Sequence, residues 1–350
     1  MKVFKTYCLL LVLLFGAQSV GVQGLSGSDR KELWKEISQY FQPPAEYAED
    51  YGEYRSPLLF YDGTPVKIKA DWKKRRTEIK NQWMSMMGEW PSLLTEQELE
   101  VLSYKEREDF TQYQVRFYWL PNQQTEGYLL VPNQDGEKYA KNGMKSEMKD
   151  VKSQIKDVKL EKGLSEKNPK GKKSALACAA ANAWHVLSKL EEVDASRIGI
   201  VGHSYGGKWA MFASCLFDKF ACAAWIDPGI VFDETKGGNV NYWAPWYLGY
   251  YTPPWQEAWS STGVNAKGLY PKLRMEGYDL HELHALMAPR PFLVSGGSSD
   301  PVQRWIPLNH SIAINNFLGY KNRVAMHNRP DHSPNAESNE IVYKFFQYFL

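Results

Sequence analysis

Residues 198–208 read Ile198-Gly199-Ile200-Val201-Gly202-His203-Ser204-Tyr205-Gly206-Gly207-Lys208. An apolar run of strand character ends in Gly202-His203-Ser204-Tyr205-Gly206, and Lys208 to Ala213 then reads as a helix. A Gly-x-Ser-x-Gly between strand and helix is a nucleophile elbow, a turn so tight that only small residues fit on either side of the serine. The turn pushes the serine hydroxyl outward on strained backbone at a helix N-terminus, where negative charge is welcome. The bare pattern is weak. Its weight comes from the flanking strand and helix, and from the order of candidate partners downstream.

Those partners lie in the C-terminal third. Pro291 to Gly297 reads as a buried strand running into a glycine turn, with Asp300 just past its end. Arg323 to Met326 reads as another strand, followed by a polar loop containing His332 and a final amphipathic helix, Glu337 to Leu350. The chain order Ser204, Asp300, His332 is that of a triad whose members sit on loops at the carboxyl ends of strands. Ser204 is a poor nucleophile at its free pKa, so His332 would take its proton while Asp300 fixes the imidazole tautomer. Asp227, just after the apolar run Ala221 to Ile226, competes for the acid's place. Each residue also has a plainer reading: Asp300 as an N-cap for the segment from Pro301, Asp227 as a turn residue, His332 as a loop histidine. His203 is expected to pack inside the elbow. His281 and His284 share a helix face, but no further ligand cluster accompanies them, so they read as structural and no metal is expected.

With 42 Lys and Arg against 40 Asp and Glu, the net charge of +2 leaves no electrostatic footprint for nucleic acid. A chain of 350 residues can bury one large core with an accessory region. Residues 1–24 combine a charged start, an apolar core from Tyr7 to Phe15 and small residues toward Gly24, the pattern of a secretory signal peptide. The apolar core is too short to span a bilayer well, and no other segment could cross one. The mature chain is therefore expected to be soluble, without a stable membrane span, and secreted or periplasmic. Cys8 would leave with the leader. Cys178, Cys215 and Cys222 remain in apolar surroundings and read as buried free thiols.

Residues 25–97 look helical and aromatic, and the segment from Asp71 is an amphipathic helix suited to pack across the start of a sheet. From Leu99 to Val131 the pattern changes to alternation, which predicts antiparallel strands joined by polar turns. Ser174 to Leu190 predicts an Ala-rich helix leading into the elbow strand.

From Ala175 onward the chain resembles an α/β-hydrolase of the carbohydrate-esterase kind, similar to acetyl xylan esterases and dienelactone-hydrolase-like proteins. The segment Asp279 to Val294 is also similar to one in glucuronoyl esterases. The resemblance implies an α/β fold with a mainly parallel sheet and antiparallel first strands, spanning 98–350. It implies ester hydrolysis through an acyl-enzyme without metal or organic cofactor, on a small-molecule or saccharide ester. Glucuronoyl esterases carry a lysine four residues after the nucleophile, here Lys208, and some place the acid after the next strand, here Asp227. Their elbow has Cys and Arg where this chain has His203 and Tyr205.

Two segments depart from that pattern. Where a strand–helix–strand unit belongs, residues 134–173 hold about a dozen lysines between Glu137 and Lys173 and no β-branched run long enough for a buried strand. Met144, Met148, Val151, Ile155 and Val158 form a helical, heptad-like stripe there. The missing unit would supply the second oxyanion donor, leaving the Tyr205 N–H, and losing one such donor typically costs about 2.7–4 kcal/mol of transition-state stabilisation. The elbow strand would also be open to edge pairing. The second departure, 234–275, concentrates aromatic residues where hydrolases grow lids. Trp243 and Trp246 there could stack on sugar rings, and Lys208 or Arg304 could bind a hydroxyl or carboxylate.

The sequence thus points to a secreted serine ester hydrolase. The alternatives are an impaired or non-catalytic relative that binds a saccharide or partner, and a peptidase of the prolyl-oligopeptidase type, which lacks a propeller-sized N-terminal region here.

Overall fold

Four short strands alternate apolar side chains between two cores, as a sheet buried on both faces requires. Ile200, Ala223, Trp225, Phe292, Val294, Val324 and Met326 join one core, while Val201, Ala224, Ile226, Leu293 and Ala325 join the other. The computed structural model that shows this describes residues 10–11, 27–133, 171–191, 193–233, 235, 249–251 and 266–350.

The strands are β1 (Leu10–Leu11), β2 (Glu100–Glu106), β3 (Phe110–Leu120), β4 (Gln123–Pro132), β5 (Ile200–His203), β6 (Ala223–Ile226), β7 (Gly249–Tyr251), β8 (Ala266–Gly268), β9 (Phe292–Gly296) and β10 (Val324–Asn328). The main sheet has the order β1-β5-β6-β9-β10. Strands β5, β6, β9 and β10 are parallel in register, so their carboxyl ends and following loops share one rim. The α/β-hydrolase architecture is the result.

The helices are α1 (Gly27–Ile37), α2 (Lys69–Met87), α3 (Gly171–Leu187), α4 (Tyr205–Leu216), α5 (Leu269–Met275), α6 (His281–Ala285), α7 (Trp305–Leu318) and α8 (Ala336–Phe349). On one face, Ile37 and Phe41 from the N-terminal region pack with Ile341, Val342, Phe345 and Phe346 of α8. On the other face, α2, α4, α6 and α7 build the larger core. Buried residues of α2 recur at Trp72, Arg75, Ile79, Trp83 and Met87, the spacing of one helix face. That face carries a buried charge: Arg75 Nη1 meets Glu78 at 2.6 Å and its guanidinium lies 4.1 Å from the Tyr61 ring centre.

The antiparallel strands β2–β3–β4 form a sheet of their own. Residues 134–170, most of the lysine-rich stretch that stands where a strand–helix–strand unit was expected, lie outside the described residues. Helix α3 joins the two parts instead. Asn182 donates from Nδ2 to the Trp119 carbonyl at 2.9 Å and accepts the Leu94 N–H at 2.8 Å. Cys178 and Ala179 pack on Leu120. The outer edge of β5 meets Leu10–Leu11, antiparallel; the rest of the expected leader, 1–24, lies outside the described residues.

Cys178, Cys215 and Cys222 are free and buried, and burial pushes the Cys178 thiol up to about 11. Among the described residues no helix is long and apolar enough to cross a membrane. None of them forms a group of three or more metal-ligating side chains.

Candidate active site

Strand β5 ends at His203 and the chain reverses at once into α4. Ser204 takes φ 57°, ψ −121°, a conformation that costs a non-glycine residue of order 1–3 kcal/mol. The turn is held from both sides: the Ser204 N–H donates to the Ile226 carbonyl at 2.9 Å, and the Ser204 carbonyl accepts the Lys208 N–H at 3.0 Å. Gly202 makes the reversal sterically feasible, because a Cβ there would lie 2.1 Å from the Gly206 carbonyl oxygen. Tyr205 is the first residue of α4, with its N–H at the positive end of a 12-residue helix.

His332 reaches the site on the loop after β10. Its ring packs against that of His203, with 4.8 Å between centres, which sets the imidazole beside the residue that precedes Ser204. Its Nδ1 lies 2.6 Å from Asp227 Oδ2. Asp227 therefore occupies the place expected of Asp300. The reason is strand order: β6 lies beside β5, so the loop after β6 opens between the elbow and the incoming histidine.

Asp227 is fully enclosed. Its carboxylate also accepts the N–H groups of Gly297 at 2.7 Å, Ser299 at 3.1 Å and Asp300 at 2.8 Å. Burial pushes its pKa up, but the hydrogen bonds from His332 and from these amides outweigh it and hold the carboxyl below its ordinary value. An ionised Asp227 fixes the His332 proton on Nδ1 and leaves Nε2 bare. Gly297 is required here too, since a Cβ would come within 2.9 Å of Asp227 Oδ2 and 2.3 Å of the Asp331 carbonyl.

Asp300 faces away from the imidazole. It is inaccessible to solvent and accepts the N–H groups of Gly229 and Ile230, both at 2.7 Å. Burial raises its pKa to about 6 against the pull of Arg304. It does not cap the helical turn after Pro301 either.

Arg304 is also not presented to a substrate. Only 8% exposed, its guanidinium donates to Asp233 Oδ2 at 2.7 Å and the Ser299 carbonyl at 3.2 Å, with Asp300 Oδ1 at 3.5 Å. Lys208 sits one turn into α4 and is buried. Burial lowers its ammonium to about 7, while the carboxylates of Asp300 and Asp227 pull it back up. Trp243 and Trp246, with most of the aromatic segment 234–275, lie outside the described residues. His281 and His284 are core residues: His281 Nε2 contacts the Arg55 carbonyl at 2.7 Å and His284 Nε2 contacts Met211 Sδ at 3.3 Å.

Arg329 was not legible in the sequence. It is buried, and Nη1 donates to the carbonyls of Ser295 and Gly296, at 2.9 and 3.0 Å, while Nη2 donates to the His332 carbonyl at 2.6 Å. Its position two residues before Asp331-His332, beside Pro330, was the only local signal.

Comparison with known proteins supports the fold. Residues 172–330 match the model of the prolyl oligopeptidase family, a match that ends just before His332. No curated protein sequence matches the chain. Among solved structures, a glucuronoyl esterase from Solibacter usitatus superposes with a TM-score of 0.59 at 17% identity, covering 88% of this chain and 99% of that one. A promiscuous family 15 carbohydrate esterase from a marine bacterial metagenome gives 0.58 at 15% identity, covering 89% and 100%. The catalytic domain of a glucuronoyl esterase from Hypocrea jecorina gives 0.51 at 12%, covering 85% and 91%. At these identities the likeness is one of fold.

Proposed function

We propose that the chain is an exported serine hydrolase that cleaves carboxylic esters of saccharides or small molecules, with Ser204 as nucleophile, His332 as general base and Asp227 as orienting acid. The observation that carries this reading is the 2.6 Å contact between His332 Nδ1 and buried Asp227, on a loop whose imidazole packs beside the elbow. With the Nδ1 proton committed to Asp227, Nε2 is free to take the Ser204 proton as the hydroxyl attacks an ester carbonyl. The Tyr205 N–H faces the developing oxyanion. Collapse expels the alcohol, which takes its proton from His332, and water then hydrolyses the acyl-enzyme by the same base. These steps need no metal or organic cofactor. Saccharide esters are favoured by the fold shared with glucuronoyl esterases and by the aromatic segment 234–275. Export rests on the leader pattern of residues 1–24.

Among the described residues β2–β4 form a sheet apart from the parallel one, which favours one second reading, an impaired relative that binds its ligand without turnover. A fluorophosphonate probe and p-nitrophenyl acetate separate the two. Labelling and hydrolysis that vanish in Ser204→Ala support the hydrolase; a wild-type chain that is neither labelled nor active supports the binder. Cleavage of a Pro-containing peptide faster than any ester would instead favour the peptidase suggested by the prolyl oligopeptidase match.

A further inference from the structure

His332 must travel far from its root. Its loop leaves β10, the edge strand, and passes the carboxyl ends of β9 and β6 to reach the elbow on β5. Adjacent strands lie about 4.8 Å apart, so three strand spacings amount to about 14 Å. Over that span Asn328, Pro330, Asp331, Ser333 and Asn335 are all exposed, and little core packing fixes the path. A loop of this kind leaves the imidazole free to drift unless its backbone is tied at the far end.

Asn328 donates to the Asp300 carbonyl at 2.7 Å, Arg329 Nε donates to the Ser333 carbonyl at 2.9 Å, and Asp227 holds the imidazole itself; at the main-chain carbonyl of His332 two further donors converge. Arg329 donates from Nη2 at 2.6 Å, and His203 contacts the same oxygen from Nε2 at 3.0 Å. Arg329 belongs to the loop and is pinned to Ser295 and Gly296 of β9, so it refers the loop to its own side of the sheet. His203 belongs to the elbow strand and immediately precedes Ser204. It alone of the pair refers the position of His332 to the nucleophile.

We propose that His203 is a positioning residue: as a neutral imidazole donating Nε2–H to the His332 carbonyl, it registers the general base against Ser204. This rests on the triad reading above. A carbonyl can only accept, so the proton must sit on Nε2 of His203. Burial, with His332 and Arg329 nearby, lowers the pKa of His203 against the upward pull of its hydrogen bond and of Asp227, which favours the uncharged ring. A neutral donor is what the place demands, because a fixed cation would oppose the imidazolium that forms on His332 during turnover. His203 is also a position at which the elbow departs from the glucuronoyl-esterase pattern, so the grip belongs to this chain's own sequence.

The test contrasts a ring without a donor against a donor without a ring. His203→Phe keeps the packing and loses the hydrogen bond; His203→Gln supplies an amide N–H to the same carbonyl. With p-nitrophenyl acetate, His203→Phe should lower kcat about 10- to 100-fold while KM changes less than about twofold, the signature of a displaced base rather than a damaged binding site. The far-downfield proton NMR signal of the His332 Nδ1–H bond to Asp227 should broaden or disappear in the same variant. His203→Gln should recover most of both. The NMR arm needs no turnover, so an inactive wild type would refute the triad reading while His203 remained testable. Should phenylalanine not be accommodated, His203→Leu against His203→Gln gives the same contrast. Wild-type kcat and an unchanged Nδ1–H signal in the donorless variant would overturn the proposal. So would a folded His203→Gln that performs no better than His203→Phe.

Discussion

Asp227 accepts the backbone N–H of Asp300 at 2.8 Å, while the carboxylate of Asp300 accepts the N–H groups of Gly229 and Ile230, just beyond Asp227 in the chain. Each aspartate therefore holds the loop that bears the other. The loops after β6 and β9 are cross-clamped, and only one of the two carboxylates is left facing the imidazole of His332. Two acids that look interchangeable in the sequence thus carry different burdens.

Substituting them one at a time should separate those burdens. Asp227→Asn keeps the shape but favours the wrong tautomer of His332, so kcat should fall by about 10²–10⁴-fold with modest loss of stability. Asp300→Asn should cost about 3 kcal/mol, because an amide cannot accept both N–H bonds and leaves Arg304 short of a partner. Its kcat, measured below the lowered Tm, should stay within about tenfold of wild type. Equal losses of kcat in the two variants would assign the acid's role wrongly.

Gly202→Ala tests the elbow itself. The added Cβ would meet the Gly206 carbonyl carbon at 2.3 Å as well as its oxygen, and both atoms are backbone with no rotamer to escape into. A loss of about 3 kcal/mol or more is expected, read as a lowered denaturation midpoint, with fluorophosphonate labelling lost in parallel. A variant of normal stability would mean that the turn is looser than described.

Arg304 offers a check on substrate binding. Arg304→Met would leave buried Asp300 and half-buried Asp233 without their cation, and breaking such a buried pair costs about 3–5 kcal/mol. The KM of a neutral ester should change less than about twofold if the guanidinium is structural. A large rise in KM with unchanged thermal stability would return Arg304 to the binding site.

Asp279 makes a pH-dependent prediction. Burial raises its pKa to about 7, while two N–H donors, Phe232 and Leu280, both converge on Oδ1. A carboxyl whose folded pKa lies above its unfolded value binds more protons in the native state. Its contribution to stability is complete below about pH 4 and is lost as pH rises through about 7. Asp279→Asn keeps an oxygen for both donors and removes the titration. The Tm of the variant minus that of wild type should therefore become more positive between pH 5 and pH 8. A difference that stays flat across that range would show that Asp279 does not titrate there.

Much of the fold was legible because its signals are local. Alternation marked β2 to β4, short apolar runs ending in glycine marked β5 and β9, and the 3.6-residue spacing marked α8. The tight turn needs Gly202 and Gly206 around Ser204 whatever surrounds it, so the elbow and the helix after it could be read directly. The pairing of Ser204 with His332 was an expectation from chain order, and the structure brings His332 against His203, the residue before Ser204. The segments 134–173 and 234–275 stand out in the sequence as departures from the hydrolase pattern, and most of both lies outside the described residues.

Which carboxylate faces His332 was not a local matter. Asp227 and Asp300 both follow a buried strand and a turn, and nothing in either neighbourhood distinguishes them. Strand order decides: β6 lies next to β5, so the turn after β6 faces the histidine that folds in from β10, while Asp300 turns back toward Gly229. The same holds for Arg304, which the sequence offers as a binder of a substrate hydroxyl or carboxylate and which lies buried between the carboxylates of Asp233 and Asp300. His203 and Arg329 converge on one carbonyl across 129 and 3 positions of chain. Periodicity and turn chemistry report what a residue does to its neighbours in sequence; hydrogen bonds between distant loops depend on which strands lie side by side, and only the folded sheet fixes that.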